Sequence, residues 1–187
     1  MKKCYAVRKG FMRGIFTKWE KCKSSVDGYS GAVYLKFDSI AYALEYLIGD
    51  GSVPCLIPYY AYNNDQCNYE YTAAICSQGK CELLSKEMYF INVKTEHALQ
   101  TPAWEELDAI TEAVTHAIGK GYSELVIFYN HPAVGGWGTD KIISNSNRAK
   151  EFVSFCKEKS AIINLKFMVL PTLSRYTFNE IVDILQR

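Results

Sequence analysis

No two cysteines in this sequence are spaced C-x-x-C, and their number, seven, is odd. That speaks against a zinc site of ordinary spacing and against a disulfide framework, leaving reduced thiols and a cytoplasmic setting as the expectation. No apolar run is long enough to cross a bilayer. The opening Met-Lys-Lys-Cys-Tyr-Ala-Val-Arg-Lys interrupts its apolar stretch at once, so no secretory leader is expected either. Histidine is scarce: His97, His116 and His131 are all there are, and none stands with a cysteine in a pattern that signals nucleophilic catalysis. Net charge is close to absent at +1, which excludes a general basic coat. Internal repeats and low-complexity tracts are lacking as well.

What is present is apolar and aromatic: 49% of the 187 residues are hydrophobic and 14% are Phe, Trp or Tyr, enough for a sizeable core. The length suits one large domain or two small ones. Positive charge is concentrated in residues 1–23, where Glu20 is the one acid.

Residues 5–7 and 14–16 read as short strands around a turn over 10–14. Thr17-Lys-Trp-Glu20 reads as a capping box that starts a helix at Lys18 and carries it to about Val26. A turn over 28–31 and a strand over 33–37 follow. Asp38 is then the expected cap of a helix whose Ile40, Leu44, Leu47 and Ile48 recur at helical spacing. Gly49-Asp-Gly-Ser-Val-Pro54 breaks the pattern, and the domain boundary is placed there.

Strands are expected next near 55–62, 69–77 and 80–93 as an antiparallel meander. Thr101 and Pro102 form an N-cap and N1 pair, and Leu107, Ile110, Val114, Ala117 and Ile118 make an apolar stripe. A strand over 125–129, a helix over 147–159, a strand over 162–170 and a last helix from about 177 complete the order βββαβαβα. Gly135-Gly-Trp-Gly138 reads as a flexible turn. The fold class is α/β (α+β): a three-stranded sheet with two helices over 1–48, then a mixed five-stranded sheet with flanking helices over 55–187.

Tyr5-Ala-Val-Arg-Lys-Gly10, Gly14-Ile-Phe16, Trp19-Glu-Lys-Cys22, Val26 and Gly31-Ala-Val-Tyr-Leu-Lys-Phe37 together resemble the hybrid-binding domain of ribonucleases H, a viroplasmin-like module. The resemblance implies binding of RNA–DNA hybrid or double-stranded RNA without sequence preference. It implies aromatic contacts to the DNA backbone from Trp19 and Tyr34, a phosphate contact from Lys36, and support from Tyr5. The chemistry is coherent, since cations on phosphates release counterions and exposed rings pack on sugars. Where the motif usually has two adjacent lysines before its last Phe, the first is Leu35, from which weaker affinity is expected. Read without the motif, Trp19 and Tyr34 are aromatics for the core of a tiny domain, and the lysines a solvated face.

The second region is similar to a ribonuclease H domain in element order. The resemblance puts Glu106 where the family has its catalytic glutamate, and Asp183, in Asn179-Glu-Ile-Val-Asp183, where it has a metal-ligand aspartate. Asn130 replaces an expected aspartate, Tyr60 or Ala61 stands where another belongs, and Pro171-Thr-Leu-Ser-Arg175 lacks the family's histidine. Two-metal cleavage needs carboxylates enough to hold two magnesium ions. With Glu106 and Asp183 as remnant ligands, magnesium binding is expected to be weak or absent and the domain degenerate. Acids on helices also occur for the dipole or for solvation alone.

The leading expectation is a noncatalytic nucleic-acid binder. A working endoribonuclease with ligands displaced to Asp65, Asp108 or Asp140 is the second reading, and a protein-interaction module, favoured by Leu35 and the near-neutral charge, the third.

Overall fold

The computed structural model describes residues 3–49, 53–63, 68–77, 80–90, 101–171, 173 and 175–185. The N-terminal elements are β1 (Cys4–Lys9), β2 (Gly14–Phe16), α1 (Trp19–Val26), β3 (Val33–Phe37) and α2 (Ile40–Ile48). The meander is β4 (Cys55–Asn63), β5 (Asn68–Ser77) and β6 (Lys80–Phe90). Then come α3 (Thr101–Gly119), β7 (Glu124–Tyr129), α4 (Pro132–Gly138), α5 (Asn147–Lys159), β8 (Asn164–Val169) and α6 (Arg175–Leu185).

The sequence pattern places most of these, but the starts of the first two helices differ from expectation. Thr17 does not cap α1: the cap position falls on Lys18, with no side-chain capping bond, so the Thr17–Glu20 capping box is not formed. The second cap is Ser39 rather than Asp38, its hydroxyl accepting from the Ala41 amide at 3.2 Å. The Gly135–Gly138 stretch is not a flexible turn but most of α4. A Cβ on Gly135 would lie 2.0 Å from the Tyr129 ring, and one on Gly138 would lie 2.3 Å from that of Phe167. These glycines let a helix press directly onto sheet aromatics.

All eight strands among the described residues join one mixed sheet in the order β3-β1-β2-β8-β7-β4-β5-β6. The expected five-stranded mixed sheet is its larger part: β4, β5 and β6 pair antiparallel, while β7 runs parallel to both β4 and β8. The N-terminal sheet is continuous with it. β2 meets β8 in parallel through a single pair, Gly14 with Val169, and the Val169 amide donates to the Arg13 carbonyl at 2.9 Å. Gly14 has φ 133°, and a Cβ there would fall 2.2 Å from the Val169 carbonyl oxygen. Only glycine satisfies both the backbone angle and this approach.

Two apolar layers cover the sheet. On one face α3, α4 and α5 pack through Leu107, Ile110, Val114, Trp137 and Phe152 onto Leu125, Ile127 and Phe167. On the other, Leu44, Leu47 and Ile48 of α2 share a cluster with Ala6 and Ile15 of the N-terminal strands, Phe128 and Met168 of the central strands, and Phe178 and Ile181 of α6. The helical spacing of α2 thus serves a core drawn from both ends of the chain. A third small cluster, Val7, Phe16, Cys22 and Val26, lies under α1.

Candidate nucleic-acid interface

The register of β1 against β3 pairs Tyr5 with Lys36 and Val7 with Tyr34. Directly opposed residues of an antiparallel pair share a face, so Tyr5, Tyr34 and Lys36 lie on the α1 side of the sheet together with the buried Val7. Trp19, in the first turn of α1, comes down between the two tyrosines. Its ring centroid is 5.3 Å from that of Tyr5 and 5.9 Å from that of Tyr34. Trp19 and Tyr34 each keep 40% of their surface exposed, which decides between a core role and a surface one. The three rings form a contiguous aromatic surface with the exposed Lys36 beside it. Such a surface can pack on sugars while the ammonium pairs with phosphate.

Leu35 alternates to the opposite face. Its partner across the ladder is Ala6, which belongs to the α2 core. The lysine missing at this position is therefore missing from the other side of the sheet, not from the aromatic surface. Arg8 also turns that way: it donates to the Tyr46 carbonyl and lies 4.1 Å from the Tyr46 ring centroid.

In the second region Glu106 is fully buried on α3. Its Oε1 accepts from the Asn130 amide at 2.7 Å and its Oε2 from the His131 amide at 3.0 Å. The Asn130 side chain donates to the Leu170 carbonyl at 3.0 Å. Both carboxylate oxygens of Glu106 thus clasp the backbone at the end of β7. Burial, helped by the Glu106 charge, pushes the Tyr129 hydroxyl up to about 12, and burial lowers the His131 imidazole below its ordinary value.

Asp183 is exposed on α6. Among the described residues no three of His, Cys, Asp and Glu come together as a metal site. The Tyr60 and Ala61 side chains, and the whole of Asp65 and His97, lie outside the described residues. Of the other acids considered as displaced ligands, Asp108 pairs with Arg148 and Asp140 with Lys157 at 2.8 Å.

Residues 3–47 match the family profile of the ribonuclease H1 N-terminal domain. The chain is 54% identical over 43 residues to a ribonuclease H of Saccharomyces cerevisiae, and 44% identical over 43 residues to one of Crithidia fasciculata. These segments are 23% of this chain but only 12% and 9% of the two relatives. Among solved structures, ribonuclease H1 of Halobacterium salinarum aligns with 71% of this chain and 92% of its own at 16% identity and a TM-score of 0.45. A ribonuclease H domain from Mycobacterium tuberculosis aligns with 72% of this chain and 96% of its own at 11% identity and a TM-score of 0.47. The family match and the aromatic surface fall on the same residues, so it is the segment 3–47 that is similar to the ribonuclease H1 N-terminal domain.

Proposed function

We propose that residues 1–48 of this protein bind RNA–DNA hybrid or double-stranded RNA without sequence preference, and that residues 55–187 form a degenerate ribonuclease H-like body that does not cut it. The observation that carries the binding is the exposed Tyr5–Trp19–Tyr34 surface, with Lys36 beside it, inside a segment that matches the ribonuclease H1 N-terminal domain. Rings and one ammonium on a sheet face read no base edge, so affinity comes from phosphate, sugar and shape. It falls as salt rises, because counterion release drives the phosphate contacts.

The proposed loss of cleavage rests on Glu106, held by two amides, and on Asn130 standing where an aspartate is expected. Glu106 and Asp183 are then remnants of a ligand set too small to hold two ions, with magnesium bound weakly or not at all.

Titration of labelled hybrid into the full chain tests the binding. Trp19→Ala is expected to weaken it about ten-fold, in line with one lost ring contact of about 1–3 kcal/mol, while the protein stays folded because Trp19 is a surface residue. Unchanged affinity in the folded variant overturns the assignment. Incubating hybrid with magnesium or manganese tests the rest, with no cleavage expected. Metal-dependent cleavage that Glu106→Gln abolishes identifies a working nuclease instead.

A further inference from the structure

A recess of about 810 Å³ opens where the N-terminal strands meet the larger sheet. One wall is the β1–β2 turn with Lys9, Phe11 and Arg13; another is the α1–β3 turn with Tyr29; the far wall is α4 and the segment after it, with Gly136 and Lys141. Among the described residues no acidic one lines it. Asp140, the nearest acid in sequence, is already paired with Lys157. Phe11 and Tyr29 meet edge to face at 5.2 Å and remain 57% and 38% exposed, so an apolar, flat-faced surface is held open to solvent between cations.

We infer that this cleft holds a single unpaired nucleic-acid strand running on from a duplex bound at the aromatic surface. Unpaired strands are held where cations follow the phosphates and exposed rings stack on bases, and both components are present here. Lys9, Arg13 and Lys141 supply positive charge without a competing carboxylate. Phe11 and Tyr29 supply the rings. A recess of this volume is in the range that takes one small ligand at a time, which suits a single strand better than a duplex. The position also fits: the cleft lies at the C-terminal end of α1 and the Trp19 surface at its N-terminal end, on one side of the sheet. The glycines of α4 keep this wall close, since a Cβ on Gly136 would fall 2.2 Å from Ile142.

The inference rests on the duplex-binding reading above, and its test separates the two. The full chain is titrated with a blunt hybrid, with the same hybrid carrying an oligothymidylate tail, and with the oligothymidylate alone. The tailed hybrid is expected to bind about ten-fold more tightly than the blunt one. Phe11→Ala and Lys141→Glu are expected to abolish that advantage while leaving blunt-hybrid affinity unchanged, which also shows that the variants are folded. Trp19→Ala is expected to weaken the blunt hybrid and keep the tail's advantage. Equal affinity for tailed and blunt hybrids, or a tail advantage that survives both cleft variants, overturns the cleft assignment. If the blunt hybrid does not bind, the duplex reading fails alone, and the cleft stands or falls on whether the oligothymidylate binds and loses affinity on Phe11→Ala.

Discussion

Glu106 shows at the scale of one residue how a buried acid supports the architecture around it. Its two oxygens accept from the amides of Asn130 and His131, tying α3 to the end of β7. Glu106→Ala is expected to lower stability by about 1–3 kcal/mol, the effect of two part-buried hydrogen bonds lost, measurable as a lower urea midpoint. The sequence did not reveal this role, because the amides lie 24 and 25 residues away and belong to backbone. Trp19 and Tyr34 were legible through their motif, but their exposure was not, since hydrophobicity alone sends aromatic rings inward. The thiols give a second expectation. Burial, with Asp38 adding to it, pushes the Cys4 thiol up to about 11 from 9.0, and burial pushes that of Cys156 up to about 12. A raised thiol pKa favours the folded state fully below the unfolded value of 9.0, and the benefit is lost as pH climbs from there through the folded value. Unfolding midpoints are expected to decline above pH 9, and mass spectrometry after iodoacetamide treatment at pH 8 should find Cys4 and Cys156 unmodified in the folded protein.

Among the elements, the join between β2 and β8 depends most on a single position. Gly14→Ala brings a Cβ against the Val169 backbone at a φ of 133°, so both the angle and the contact oppose it. Loss of several kcal/mol is not needed to detect this; about 1–3 kcal/mol, the usual range for a strained backbone position, is expected as a lower thermal midpoint. The helices were readable where apolar spacing repeats, as in α2 and α3. Their starts were less so: Thr17 and Ser39 both have capping side chains, and which hydroxyl meets an amide depends on backbone angles that sequence does not record. The Gly135–Gly138 run was misread for a related reason. Glycine signals a turn by propensity, whereas here the missing Cβ atoms admit the rings of Tyr129 and Phe167.

Across the whole molecule, the division after residue 48 marks a change of pattern in the chain rather than a gap in the packing. Leu44, Leu47 and Ile48 share one apolar cluster with Phe178 and Ile181 from the far end of the sequence. Contacts of that separation leave no local trace, which is why a shared core was not legible from a glycine-rich break. Hydrogen exchange in increasing denaturant is expected to show α2 and β7 losing protection together, as one cooperative unit; earlier release of α2 would contradict the shared core. The continuous sheet also changes what an attached binding module does. A module on a slack tether samples many positions along a duplex, at an effective concentration set by tether length. One built into the same sheet as its neighbour has no such freedom. If it grips a duplex as proposed, it serves as a ruler, setting a fixed distance and direction from the gripped point to the body beside it, and protection of a bound hybrid is then expected to end at one constant length.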